Sequence, residues 1–92
     1  VMGITESIAS STISIYPNPT DGIFIIEFTT ITAIDVSFSV INVLGQEIAF
    51  NKIKANIGIN KQQFDLSGFA KGVYILKLIS ENGVMDKKVV LE

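Results

Sequence analysis

The sequence predicts an all-β fold, a single antiparallel β-sandwich. Short runs of alternating polar and apolar residues, separated by turn residues, are typical of half-buried strands. Sixteen of the 92 residues are isoleucine, and β-branched side chains pack well on pleated sheets. No run shows the length and period of a helix. The pattern therefore favours about seven short strands in two packed sheets.

The predicted strands follow one another at short intervals. They span residues 12–16, 22–30, 35–44, 47–50, 57–66, 72–80 and 84–91. Alternate apolar residues of the second and third strands are expected in the core, together with three aromatic residues nearer the C-terminus. These core residues are Phe24, Ile26, Phe28, Val36, Phe38, Val40, Phe64, Phe69 and Tyr74.

Two turns are predicted to join neighbouring strands into hairpins. Gly45-Gln46 lies between the third and fourth strands, and Asn82-Gly83 lies between the last two, where residues that tolerate positive φ favour tight turns. The first and last strands are expected at sheet edges. The architecture is immunoglobulin-like in size and strand number, although the chain contains neither cysteine nor tryptophan, and so lacks the disulfide and core tryptophan of immunoglobulin domains.

Residues 1–11 are predicted to be a linker from an upstream part of the protein, and residues 12–92 to be the folded domain. The first segment mixes small, polar and apolar residues without a sustained period, which is typical of a linker. The domain has 48% hydrophobic and 17% charged residues, a globular rather than a disordered composition. No apolar run approaches the roughly 18 residues of a transmembrane helix.

The composition argues against most site chemistry. There is no cysteine and no histidine, and all seven basic residues are lysine. Disulfides and thiolate metal sites are therefore excluded, and the commonest general base is missing. The net charge of −2 disfavours a nucleic-acid partner. We expect no catalytic residue, cofactor, metal site or small-molecule substrate, and no enzyme activity.

The most distinctive local feature is the segment 16–22, Tyr-Pro-Asn-Pro-Thr-Asp-Gly. Its two prolines restrict φ and remove two backbone donors, and its terminal glycine permits a sharp reversal. From the residues alone, this segment is a rigid connection between two strands.

Together with three later segments, 16–22 resembles a known family. The others are 41–48 (strand, Gly-Gln, strand), 65–76 (ending Gly-Val-Tyr-Ile-Leu) and 87–91 (Lys-Lys-Val-Val-Leu). In this order they are similar to the type IX secretion system C-terminal sorting domain, the Por secretion system C-terminal domain family. The residues that carry the resemblance are Tyr16, Pro17, Asn18, Pro19, Gly22, Gly45, Leu66, Gly72, Tyr74, Lys88, Val89 and Val90.

The resemblance implies a non-catalytic secretion signal of Bacteroidota-type bacteria. Such a domain directs an upstream passenger in the same chain across the outer membrane, so the implied partners are the type IX translocon and a sortase-like protease. The protease would cut in the lead-in, where Gly3, Ala9 and Ser10 are candidate positions. The implied localisation is the periplasm in transit, then the cell surface or the extracellular space, with the passenger released or attached.

Two further expectations accompany this interpretation. The alternative function is an immunoglobulin-like accessory or glycan-binding module of a secreted surface hydrolase. In isolation, the apolar edge strands favour self-association by strand pairing. Within the sorting interpretation, the hairpin 72–91 is the hypothesised recognition surface, through strand addition, and the loop around Pro17, Asn18, Pro19 and Gly22 is a second hypothesis.

Overall fold

The computed structural model describes residues 13–81 and 83–92, and these form seven β-strands without a helix. The strands are β1 (Ser14–Tyr16), β2 (Ile23–Thr30), β3 (Ile34–Ile41), β4 (Glu47–Ala55), β5 (Gly58–Asp65), β6 (Gly72–Ser80) and β7 (Gly83–Leu91). The all-β prediction is confirmed. Within this part of the chain there is no apolar helix of membrane-spanning length. The predicted lead-in, residues 1–11, lies outside the described residues.

The strands form two antiparallel sheets that pack as a sandwich. One sheet has the order β1-β2-β5 and the other the order β4-β3-β6-β7, so β1 and β7 are edge strands, as predicted. Constant-type immunoglobulin domains place their fourth strand in the sheet of the first, second and fifth strands. Here β4 instead pairs with β3, which makes the second sheet the larger one.

The core lies between the inward faces of the two sheets. Phe24 and Phe64 stack with their ring centroids 5.7 Å apart. Phe38, from the other sheet, meets Phe28 at 5.7 Å and Phe64 at 5.8 Å in edge-to-face contacts. Aromatic pairs of this geometry add to the energy of area burial. The predicted core residues are buried, with the exception of Phe69.

The prediction that Phe69 belongs to the core is wrong. Its side chain is 42% exposed, because β5 has already ended and the chain turns, with the Phe69 amide donating to the Leu66 carbonyl at 3.0 Å. Leu66 is the last inward residue of this segment and is only 1% exposed. Strand alternation does not continue through a turn, so the pattern assigned Phe69 to the wrong side.

The boundaries of β3 and β4 also differ from the prediction. β3 ends at Ile41 rather than at residue 44, after a bulge between Val40 and Ile41. The turn therefore includes residues 42–46, not Gly45-Gln46 alone. β4 continues to Ala55, because residues 51–55 remain paired with β3. Exposed lysines alternate there with less exposed residues, so the outward face of this part of the strand is polar. In the β6–β7 hairpin, Ser80 pairs with Gly83, and Asn82 lies outside the described residues.

The antiparallel order separates the connections into two groups. β1, β3, β5 and β7 run toward one end of the sandwich, which we call the loop pole. It consists of the connections 17–22, 42–46 and 66–71 and the C-terminal end of β7. The opposite pole consists of the connections 31–33 and 56–57 and the β6–β7 turn. The part of the chain that the structure describes is 37 Å long and 23 by 21 Å across.

Candidate functional site

The four distinctive sequence segments meet at the loop pole. Segment 16–22 joins β1 to β2, segment 41–48 joins β3 to β4, and segment 65–76 joins β5 to β6. Segment 87–91 is the end of β7. Consecutive antiparallel strands alternate in direction, so every second connection lies at the same end of the sandwich. Segments that are far apart in sequence therefore form one continuous surface.

The proline-rich loop pairs with the outer edge of β7. The Asn18 side chain donates through Nδ2 to the Lys88 carbonyl at 2.9 Å and accepts through Oδ1 from the Val90 amide at 3.0 Å. The Thr20 amide donates to the Val90 carbonyl at 2.8 Å, and the Glu92 amide donates to the Thr20 carbonyl at 2.9 Å. Residues 18–20 thus form an edge cap over the last residues of β7.

Segment 16–22 begins at the end of β1, where the Tyr16 side chain lies on the outer surface of the three-stranded sheet. The Tyr16 hydroxyl donates to Oε1 of Glu27 at 2.7 Å, and Lys61 lies 4.0 Å from the same carboxylate. The hydrogen bond to Glu27, with a smaller contribution from burial, raises the pKa of Tyr16 above its usual value. The peptide bonds before Pro17 and Pro19 are both cis, and both prolines are exposed.

A second set of contacts joins the same loop to the β5–β6 connection. Thr20 is buried, and its hydroxyl donates to the Ile23 carbonyl at 2.8 Å and accepts from the Gly22 amide at 3.1 Å. The Gly22 carbonyl accepts from the Leu66 amide at 2.7 Å. A Cβ on Gly22 would lie 2.8 Å from Cα and Cβ of Ser67, and its φ is +147°. Glycine is therefore required there for space and for conformation.

The β5–β6 connection is held by two side chains. Oδ1 of Asp65 accepts from the Ser67 hydroxyl at 2.6 Å and from the Ser67 amide at 2.9 Å, and these bonds lower the pKa of Asp65. The hydroxyl of Tyr74, which is 5% exposed, donates to the Ala70 carbonyl. A tyrosine near the start of the sixth strand that bonds back to the preceding corner is the tyrosine corner of β-sandwich domains.

Asn42 organises the β3–β4 turn. Its Oδ1 accepts from the amides of Leu44 at 2.9 Å and Gln46 at 3.0 Å, and its carbonyl accepts from the Gly45 amide at 3.0 Å. Gly45 has a φ of 85°, which glycine adopts without steric cost. The side chains of Val43 and Leu44 are left outside this network, 80% and 78% exposed.

Sequence reasoning missed Thr20 and Asn42. Both carry a local signal, because a threonine two residues before a glycine, or an asparagine three residues before one, favours turns closed by the side chain. Their hydrogen bonds shape two of the three connections at the loop pole.

A shallow cavity lies between the β3–β4 turn and the start of β6. It has a volume of about 190 Å³ and is lined by Val43, Leu44, Val73 and Lys71, among others. We call it the loop-pole cavity. Two of the four sequence segments therefore contribute side chains to it.

The remaining predicted residues fall into three groups. Gly72 pairs with Leu91 at the start of β6, which joins the third segment to the fourth. Lys88 is exposed, Val89 is fully buried and Val90 is partly buried. The candidate cleavage positions, Gly3, Ala9 and Ser10, lie outside the described residues. Across residues 13–81 and 83–92, no cluster of carboxylates has the arrangement of a metal site.

These features define a class of protein, a small β-sandwich whose distinctive residues shape a surface at one pole. The chain belongs to the secretion system C-terminal sorting domain family, whose family model matches residues 14–92. No curated protein matched the chain. Domains of this family are type IX secretion signals rather than catalytic domains. Membership therefore implies a role with the type IX machinery and export to the cell surface or beyond.

Proposed function

We propose that the domain directs an upstream passenger across the outer membrane by presenting its loop pole to the type IX translocon. One observation carries the proposal. The four segments through which the chain resembles the sorting family all lie at this pole. Three of them, 16–22, 65–76 and 87–91, are hydrogen-bonded together through Asn18, Thr20 and Gly22, and segment 41–48 joins 65–76 through the pairing of Ile41 with Ile75. The exposed residues of these segments are thus gathered where a single partner can contact them together, whereas Gly22, Leu66, Tyr74 and Val89 are buried and support the shape of the surface.

The direction of β1 fits this role. Ser14 pairs with Glu27 midway along β2, and β1 then runs toward the loop pole. In this scheme, a passenger joined ahead of β1 need not cover the loop pole, because β1 runs toward that pole from the middle of the sheet. A signal that follows passengers of different size and shape needs such a separation between its attachment point and the surface that is recognised.

The edge cap limits recognition by strand addition along β7. Val90 directs its amide and carbonyl outward to the cap, and strand residues two positions apart direct these groups the same way. Val84 and Asp86 therefore offer the outward-facing groups that remain beyond the cap. In our proposal, the translocon binds the surface of the loop pole, and the 72–91 hairpin contributes to that surface mainly through the end of β7.

We further propose that a sortase-like protease cuts in residues 1–11, with Gly3, Ala9 and Ser10 as candidate positions. A cut in this segment would separate the passenger without removing any of the seven strands. The passenger would then be released or attached to the surface. The domain itself passes through the periplasm in this scheme.

An export assay tests the proposal. A fluorescent reporter with a Sec signal is fused ahead of residues 1–92 and expressed in a type IX-competent host and in its translocon-deficient mutant. We expect the reporter outside competent cells and in the periplasm of the mutant, and sequencing the released reporter locates the cut. Retention in the periplasm of both hosts contradicts the proposal and favours the accessory-module alternative, for which glycan binding is the next measurement.

A matched pair of surface variants tests the role of the loop pole. Phe69→Asp changes an exposed apolar residue at the loop pole, whereas Ile59→Asp changes one near the opposite pole, 68% exposed. We expect export to fall in the first and to persist in the second. Equal export of both variants would show that the translocon does not recognise the domain through this part of the loop pole. Circular dichroism of both purified chains checks that the fold is retained.

A further inference from the structure

Val43 and Leu44 form an apolar tip whose exposure the turn itself does not explain. Among large apolar residues in the described part of the chain, they are the most exposed, at 80% and 78%. The turn is closed by the Asn42 side chain, the Gln46 side chain and backbone groups of residues 42–46, and the side chains of Val43 and Leu44 take no part in these hydrogen bonds. Polar residues at the tip would leave all of these hydrogen bonds in place. Apolar groups presented in this way are typical of a contact surface.

The loop-pole cavity lies directly beside this tip. Val73 forms part of its wall and is 40% exposed. A volume of about 190 Å³ is below the roughly 300 Å³ at which pockets for small-molecule ligands begin. The cavity is therefore suited to a single large side chain from another protein rather than to a free ligand.

The charge at the cavity is positive. Of the described residues that line it, Lys71 alone is charged. Lys71 is exposed, and the ion pairs within residues 13–81 and 83–92 involve Lys54, Lys61 and Lys77 instead. A partner can therefore reach the Lys71 ammonium. A carboxylate beside the incoming side chain would complement it.

We propose that the loop-pole cavity receives a segment of a partner protein that presents a large apolar side chain next to a carboxylate, with Leu44 and Lys71 as the main contacts. The inference rests on the proposed function, because the partner would belong to the type IX machinery. An anionic lipid surface fits less well, since Asp21 lies at the loop pole and Glu47 and Asp65 are the strand residues that border it, and these carboxylates would be repelled by such a surface.

Four substitutions in the export reporter test the inference. Leu44→Asp removes the apolar contact and Lys71→Glu reverses the charge. Ile57→Asp and Lys52→Glu make the same changes outside the cavity, at residues that are also exposed. We expect the two cavity variants to lower the exported fraction by about tenfold, the factor that corresponds to about 1.4 kcal/mol of binding, and the two controls to match the unsubstituted reporter.

Conservative substitutions sharpen the assignment of roles. Leu44→Met keeps an apolar side chain, and Lys71→Arg keeps the positive charge. Both are expected to be exported as well as the unsubstituted reporter. A loss in these variants equal to that of Leu44→Asp and Lys71→Glu would overturn the proposed chemistry of the partner. Urea unfolding of each purified chain verifies that none of the changes alters stability.

The outcomes separate this inference from the proposed function. If the unsubstituted reporter is exported through the translocon and both cavity variants are exported equally well, the inference is wrong and the proposed function stands. An equal loss in the Ile57→Asp and Lys52→Glu controls also overturns the inference. If the unsubstituted reporter itself fails to use the translocon, the proposed function fails and the inference falls with it.

Two measurements on the purified chain distinguish other occupants of the cavity. Sedimentation with anionic phospholipid vesicles tests a membrane, and sedimentation equilibrium tests a second copy of the chain. We expect neither vesicle binding nor a dimer that depends on Leu44. Vesicle binding or dimerisation that Leu44→Asp abolishes would overturn the assignment to a partner protein.

Discussion

The side chain of Asn18 is hydrogen-bonded to the backbone of Val90, 72 residues later in the chain. Its other end donates to the Lys88 carbonyl, so the amide replaces a peptide group of a neighbouring strand. Unpaired edge strands attract further strands, and this contact covers part of one. The same contact joins the two sheets at the loop pole, since Asn18 follows β1 and Val90 belongs to β7.

Replacing Asn18 should loosen the end of β7. Asn18→Ala removes both hydrogen bonds, and each net hydrogen bond contributes about 0.5–1.5 kcal/mol to stability. We expect the free energy of urea unfolding to fall by about 1–3 kcal/mol and hydrogen exchange of the Val90 amide to accelerate. Asn51→Ala is the control, since the Asn51 side chain accepts its hydrogen bond from the amide of the adjacent residue, Lys52. An unchanged Val90 exchange rate would contradict the capping role.

Gly22 and Gly72 have the same φ, so alanine substitutions at the two positions separate the free-energy cost of a steric clash from the cost of backbone strain. Gly22 and Gly72 both have φ +147°, but a Cβ on Gly72 would have no atom within 4 Å. Gly72→Ala should therefore cost roughly 1–3 kcal/mol of unfolding free energy from backbone strain alone. Gly22→Ala should cost about 1–3 kcal/mol more, because Ser67 has to move. Equal losses in urea unfolding would show that the contact with Ser67 is unimportant.

The tyrosine corner should contribute more to stability than the exposed tyrosine. Tyr74→Phe removes a hydrogen bond donated by a residue that is 5% exposed and leaves the Ala70 carbonyl without that donor. We expect a loss of about 1–2 kcal/mol in urea unfolding. Tyr16→Phe removes a bond at the surface and should have the smaller effect. The reverse order of the two losses would count against a tyrosine corner.

Asp65 should make stability depend on pH in the acidic range. The hydrogen bonds from Ser67 lower its pKa from the usual 3.8, so the carboxylate contributes stability above this pH. That contribution is lost as the pH falls through 3.8 toward the lower pKa of the folded state. Thermal unfolding should therefore separate the native chain from Asp65→Asn at neutral pH and bring the two together in acid. A difference that persists unchanged in acid would exclude this charge effect.

Much of the fold was predictable because its signals are local. Phe24, Ile26 and Phe28 alternate with partly exposed residues along β2, and a period of two assigns a side chain to one face of a sheet. The same rule failed at Phe69, where the chain had already left the strand. It also could not locate the end of β3, which depends on the hydrogen bonds of Asn42.

The same reasoning from the sequence predicted the segments of the candidate site but not how they come together. The segments around Asn18, Gly45 and Gly72 were found from the sequence, yet their assembly at one pole depends on the order of strands in the two sheets. Tyr74 was expected in the core, but its bond to the Ala70 carbonyl requires the corner to be folded. When residues of different segments form one surface, no pattern within any single segment of the sequence indicates it.

The sequence by itself determined the all-β class, most strands, the inward faces of β2 and β3, and the four segments that carry the family resemblance. These properties depend on alternation and turn chemistry between neighbours in the chain. Only the tertiary structure decided that Asn18 covers the edge at Val90 and that Leu44 and Lys71 border one cavity. The physical reason is that antiparallel sheets bring together residues distant in sequence, and which residues meet is set by strand order and register.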